Sequence, residues 1–174
     1  SSGQGKSTLL TNLISDPRFF GDKAFDFKFL ISPTAEGDDI QKQLGIEPGA
    51  TISDLEEAPK ILDVIMKNQR KNISENGADG ADQIALIYDD IVSDPLFTKS
   101  PQFIKTFIAS RHFNLTVFVC SQSWTAVPRR ARLQARNIFF FAASQSEIEL
   151  LASEFCPPGF NKKMFIAMVD DVTK

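Results

Sequence analysis

The sequence is short of the residues that build metal centres and disulfide frameworks. Its 174 residues hold one histidine, His112, and two cysteines, Cys120 and Cys156. A single imidazole among scattered carboxylates makes no zinc site. One cysteine sits inside the apolar run LTVFVC and the other just before Pro157 and Pro158, so they set no disulfide framework. Both are expected to be reduced, in an intracellular setting. No stretch reaches the roughly 18 consecutive apolar residues that a membrane span needs. Positive charge is not in excess either: the net charge of -3 excludes an overall basic nucleic-acid binder. It leaves open a motor whose positive loops face a central channel, where local charge decides. Internal repeats and low-complexity tracts are absent, and nothing marks a second domain. What is abundant is apolar: 43% of the residues are hydrophobic and 16 are Phe. That suits one packed domain of ordinary size rather than a disordered chain.

Along the chain the periodicity changes repeatedly. STLLTNLIS places Leu9, Leu10, Leu13 and Ile14 on one side of a helix. AFDFKFLIS, with Phe25, Phe27, Phe29 and Ile31 at spacing two, reads as a strand ending before Pro33. Residues 34–57 support only short helices. Pro59 suits a first helical position ahead of Ile61, Leu62, Ile65 and Met66, and NISENGADGADQ reads as a loop. The unbroken apolar run from Ile84 to Tyr88 is the mark of a buried parallel strand, and it ends in Asp89 and Asp90. Ser100 and Pro101 start a helix with Phe103, Ile104, Phe107 and Ile108 on its apolar face. Leu115 to Cys120 reads as another buried strand, NIFFFA (137–142) as a fourth, and 164–169 as a last one. Ser144 and Glu147 form a capping box for the helix through Leu151 and Phe155. Such alternation predicts an α/β layered domain with a mostly parallel sheet, whose ligands bind at the carboxyl ends of the strands.

The first residues, SSGQGKST, fit the right-hand part of G-x-x-x-x-G-K-[ST], a loop that cradles phosphates. The leading Gly and the strand that normally precede the loop would lie before residue 1, so the chain is expected to be the later part of a longer one. Backbone N–H groups of Ser1, Ser2, Gly3, Gln4, Gly5, Lys6, Ser7 and Thr8 are the expected nucleotide cradle, with Gly5 leaving room for the phosphate. Lys6 would reach the β and γ phosphates of ATP and Ser7 would ligate Mg²⁺. Asp89 is the expected carboxylate on the Mg²⁺ side, Asp90 the group that polarises the attacking water, and Gln122 a γ-phosphate sensor. The bland alternatives are a flexible Ser/Gly segment, a solvated acidic turn and a polar strand end. Arg129, Arg130, Arg132 and Arg136 form a cluster that is a solvated face, a contact to DNA phosphates, or a finger into a neighbour's site. Trp124 reads as a core or interface residue, or as a base-stacking one. His112 reads as packing or capping.

Taken together, GQGKST, FLISPT, IALIYDD, SRHFNLTVFVCSQ and the Pro/Arg segment after them resemble the FtsK/HerA superfamily of ring ATPases. Within it they are most similar to the poxvirus-type genome-packaging ATPases of large double-stranded DNA viruses. The resemblance spans residue 1 to about residue 142. It implies a P-loop NTPase of RecA-like, additional-strand type, with Lys6 and Ser7 on nucleotide and metal. Asp89 falls on the Walker B aspartate, Asp90 on the water-activating acid and Gln122 on the sensor. Ser110, Arg111 and His112 match the family's SRH element. Pro128 and Arg132 fit the family's Pro/Arg element, which would make Arg132 the arginine finger. Gln134 stands where the family has Asn, and Arg129 or Arg130 is the alternative finger. The implied activity is ATP-driven translocation of double-stranded DNA into a capsid by a homo-oligomeric ring, expected as a hexamer, in the virion or host-cell cytoplasm. A capsid or portal-like component is the further partner. A cellular or conjugative DNA pump, a ring assembly protein without turnover and a small-molecule kinase are the alternatives.

Overall fold

In the computed structural model, residues 5–21, 23–34, 39–91, 94–141 and 143–173 are described. They form a four-stranded, all-parallel sheet in the order β2-β1-β3-β4, with β1 Phe27–Ile31, β2 Thr51–Ile52, β3 Ile84–Asp89 and β4 Leu115–Cys120. Ile31 lies opposite Tyr88, and Asp89 opposite Cys120. Parallel neighbours need crossovers, and these put helices on both faces.

The alternation of side chains along each strand explains the two layers. Leu30, Ala85 and Ile87 point to one face with Phe118 and Cys120, where they meet Leu10 and Ile14 of α1 (Lys6–Ser15) and Ile40 and Leu44. The latter two belong to α2 (Asp39–Gln43) and the turn after it. Ile31, Leu86 and Tyr88 point to the other face, against Leu62, Ile65 and Met66 of α3 (Ala58–Asn76) and Phe103 of α5 (Pro101–Ile108). With a layer on each side, Ile84 through Tyr88 are all buried, as a continuous apolar run requires. A third cluster lies beyond β4, where Ile148 and Leu151 of α7 (Gln145–Phe155) meet Val169 of α8 (Lys162–Thr173).

Local signals fix the helix starts. Asp94 accepts hydrogen bonds from the amides of Leu96 and Phe97 to begin α4 (Pro95–Thr98), and Ser100 accepts from Phe103 N to begin α5. Ser144 and Glu147 make the expected capping box on α7. Between α4, α5 and β3 lies an aromatic nest in which Phe103 stands 4.9 Å from Tyr88, 5.3 Å from Phe97 and 4.9 Å from Phe107, centroid to centroid. The Thr106 hydroxyl donates to the Phe103 carbonyl (2.7 Å), so the Tyr88 hydroxyl 3.1 Å away is the donor to Thr106. That satisfies a phenol whose burial pushes its pKa up.

Several expectations are corrected. Residues 164–169, read as a strand, lie inside α8: Phe165, Ile166 and Val169 recur at helical spacing and pack on α7, while Met164 and Met168 stay exposed. Residues 137–141 of the expected fourth strand join no sheet, and Ile138 and Phe140 instead cover the α7/α8 cluster; residue 142 lies outside the described residues. The first strand starts at Phe27, and Phe25 packs beyond it against Phe118. Asn72–Asn76, read as loop, continues α3, with Asn72 donating to Asp82 Oδ2 and Gly77 closing the helix. The short strand β2, in a stretch expected to hold only short helices, is carried by two residues beside β1.

Phe103→Ala is expected to lower the unfolding free energy by about 3–5 kcal/mol, because the lost ring leaves a cavity that Tyr88, Phe97 and Phe107 cannot close. Urea unfolding checks this; a loss below about 1 kcal/mol would show the nest to be loosely packed.

Candidate functional site at the carboxyl edge of the sheet

The site is built from one helix start and two strand ends. Gly5 is the N-cap of α1 and sits at φ 78°, ψ 11°, a left-handed conformation that a side chain would strain. The Gly5 carbonyl accepts the first helical bond from Leu9 N (2.8 Å). Amides in a helix's first turn have no acceptor within the helix, and the glycine cap supplies no side chain to take their place. No acid lies in that turn to offset the positive end of the helix dipole. This end of α1 therefore suits an anion. Ser7 and Thr8 are exposed and Lys6 is half-buried. Ser1, Ser2, Gly3 and Gln4, the rest of the expected cradle, lie outside the described residues.

Packing of Leu10 and Ile14 on the sheet brings the start of α1 to the end of β4. Cys120 records the meeting: its thiol is pushed up to about 12, chiefly by burial and also by the Asp89 charge, while the Lys6 charge opposes both. Lys6 and Asp89 thus act on one sulfur atom. The register agrees, since Asp89 continues the face of Ala85 and Ile87 on which α1 lies and is opposite Cys120.

Past Asp89 the chain turns sharply. Asp90 takes φ 49°, unusual for a residue other than glycine, while its amide still donates to the Cys120 carbonyl (3.4 Å). The Gln122 side-chain amide donates to Asp90 Oδ1 at 3.2 Å. The acid and the carboxamide expected to work together are therefore in contact across two strand ends. Ser121 shapes the turn: its hydroxyl donates to the Ser123 carbonyl (2.6 Å) and accepts from Ser123 N (3.2 Å).

Arg132, the expected finger, is buried and points inward. Its side chain is 7% exposed and its donors are engaged internally: Nη2 and Nε bind Glu154 at 2.6 and 2.9 Å, and Nη1 binds the carbonyls of Val127 (2.6 Å) and Trp124 (3.2 Å). A guanidinium held from inside by a carboxylate and two carbonyls would have to break all of these bonds to reach a neighbour's site. Arg129 and Arg130 of α6 (Arg129–Arg132) and Arg136 are exposed, with Arg129 also 3.5 Å from Glu154. Trp124 takes its core role, its ring against Phe140, Phe155 and the Arg132 guanidinium. His112 is exposed in a short 3-10 turn, Ser110–Phe113.

Glu154 was not anticipated. Its carboxyl is held below its ordinary 4.5 mainly by the Arg132 hydrogen bond, with further help from the charges of Arg132 and Arg129 and from the Trp124 indole. A signal existed: Glu147, Leu151 and Glu154 share one stripe of α7, the stripe that also packs on the third cluster. An acid on an apolar helix face needs a partner.

Among the described residues no group of three or more His, Cys, Asp or Glu is arranged to hold a metal ion. The donors at this edge are the Ser7 hydroxyl and the Asp89 carboxylate, hard oxygens that suit a largely hydrated Mg²⁺ rather than a transition metal. No helix among the described residues is long and apolar enough to cross a membrane.

A parallel α/β sheet flanked by helices, with a lysine, two acids and a carboxamide gathered at its carboxyl edge, is the class of protein defined here. The chain belongs to the Poxvirus A32 protein family, whose model matches residues 1–173. No curated protein matches it.

Two outcomes follow from these environments. In Cys156→Ser protein at pH 8, Cys120 should react with an aromatic disulfide reagent on the order of 10²–10³ more slowly in the native than in the unfolded state; equal rates would contradict its burial beside Asp89. Because Glu154 is lowered in the folded protein, its stabilisation is full above 4.5 and is lost as pH falls through the lowered value. Glu154→Gln should therefore be less stable than wild type at pH 7, by a margin that narrows at pH 3, as read from urea midpoints. A constant difference between the two pH values would contradict the ion pair.

Proposed function

We propose that this chain is a Mg²⁺-dependent ATPase whose hydrolysis drives double-stranded DNA into a viral capsid. The observation that carries the reading is the convergence at Cys120 of Lys6 from a glycine-capped helix start and Asp89 from a strand end, beside the Asp90–Gln122 pair. Membership of the A32 family supports the general packaging-ATPase role. The architecture assigned is that of a P-loop NTPase of RecA-like type.

In this reading the amides of Gly5 through Thr8 and the Lys6 ammonium hold the triphosphate tail. Ser7 and Asp89 hold Mg²⁺, which when bound neutralises charge on the phosphate oxygens. Asp90 accepts a proton from the water whose oxygen attacks the γ-phosphorus, and the bond to the bridging oxygen breaks to release ADP. Gln122 donates to Asp90 through its amide nitrogen, which leaves its carbonyl oxygen to align the water. Catalysis is then positional and electrostatic. Contact with DNA is through phosphates, since a packaging motor passes every sequence. With Arg132 internal, the exposed Arg129 and Arg130 are the arginines offered to a neighbouring subunit in a homo-oligomeric ring or to DNA.

Lys6→Ala should cut DNA-stimulated phosphate release by about 100-fold or more. Asp90→Asn should lower kcat comparably while ATP still binds. Wild-type protein that binds ATP but releases no phosphate with or without duplex DNA would instead point to a ring held together by nucleotide.

A further inference from the structure

Between Gln122 and α6 the chain makes one short 3-10 turn, Trp124–Ala126, whose first residue is held from three sides. Trp124 stands two positions after Gln122. Its amide donates to Glu147 Oε1 (3.0 Å), its indole nitrogen donates to Glu154 Oε2 (3.1 Å), and its carbonyl accepts from Arg132 Nη1 (3.2 Å). The Arg132 guanidinium lies 5.3 Å from the indole centroid, and Phe155 covers the ring at 5.7 Å. Backbone donor, side-chain donor and backbone acceptor are thus all fixed, two of them by carboxylates from the single helix α7. Gln122 itself is exposed and is oriented on Asp90 at 3.2 Å. Its placement is therefore inherited from the turn through Ser121 and Ser123 and from the Trp124 anchor.

The energetics argue for placement rather than for bulk stability. Arg132 and Glu154 are 7% and 4% exposed, and desolvating such a pair commonly offsets its attraction, so that apolar residues of equal volume would hold the loop as well. A directional network does what an apolar contact does not: it fixes the loop in one register.

We infer that Glu147 and Glu154 are positioning residues that set the Gln122–Asp90 geometry through Trp124, making α7 part of the hydrolytic apparatus without touching nucleotide. The inference rests on the ATPase reading above. It separates two functions by element: the phosphate grip belongs to the start of α1, and the alignment of water belongs to a loop held from α7. Loosening α7's hold should therefore lower turnover and leave substrate affinity in place.

The test uses the purified protein and its one tryptophan, Trp124, as a reporter. Glu154→Gln is expected to lower kcat for ATP hydrolysis about 10-fold or more with KM within about two-fold, since small misplacements of positioning groups cost up to about 100-fold. The wild-type emission of Trp124 should shift when Mg²⁺ and a slowly hydrolysed ATP analogue are added, and in Glu154→Gln that shift should be lost. Glu147→Ala should lower kcat in the same way, and Glu147→Gln should restore it, because a carboxamide oxygen still accepts from the Trp124 amide. If Glu154→Gln does not fold, the Glu147 pair decides alone. Unchanged kcat in Glu154→Gln, KM and kcat altered together, or equal kcat in Glu147→Ala and Glu147→Gln would each overturn the positioning role. A wild-type protein that hydrolyses no ATP would refute the ATPase reading itself, before any variant is compared.

Discussion

A strand covered on both faces by apolar layers can carry polar side chains only where it leaves the sheet, and β3 is such a strand. Ile84 through Tyr88 are buried between α1 and α2 on one side and α3 and α5 on the other. The first residues free of that constraint are Asp89 and Asp90. The same layer that buries β3 docks α1, and it is the docking of Leu10 and Ile14 that carries Lys6 to the strand ends. The candidate site is thus a consequence of how the core closes: the acids emerge where the core stops, and the cation arrives on the helix that closes it.

The electrostatics of that edge are divided by position along the chain. Asp89 stays on the α1 face and is felt at Cys120 together with Lys6, whereas Asp90, one residue on, is turned by a left-handed backbone toward Gln122. Two adjacent carboxylates thereby act in different places, Asp89 on the Cys120 thiol that Lys6 also influences and Asp90 on the Gln122 carboxamide. Holding a non-glycine residue at positive φ costs of order 1 kcal/mol, a cost tolerated where a turn must aim a side chain. Farther out, the buried Arg132–Glu154 pair ties the segment after β4 to α7. The third cluster beneath α7 and α8 gives that tie a fixed base.

Much of this was legible in the sequence where one signal dominated. Unbroken apolar runs gave β3 and β4, Ser-Pro gave the start of α5, and Ser144 with Glu147 gave that of α7. Asp90 and Gln122 could be nominated because strand ends are few. Short apolar segments were harder, since NIFFFA and the 164–169 run satisfy strand and helix patterns alike. Both end by covering the α7/α8 cluster, the 164–169 run as part of α8 and residues 137–141 as neither helix nor strand. The fate of Arg132 was not legible at all. Four arginines in eight positions look alike until the fold brings Glu154, distant in sequence, against one of them.

The central claim is that the start of α1 and the ends of β3 and β4 form one nucleotide site. Hydrogen exchange by mass spectrometry, with and without Mg²⁺ and a slowly hydrolysed ATP analogue, tests it most directly. The account predicts that slowed exchange concentrates together in peptides spanning residues 5–10, 89–91 and 120–123. Nucleotide binding that protects other parts of the chain and leaves these three at their free rates would contradict it.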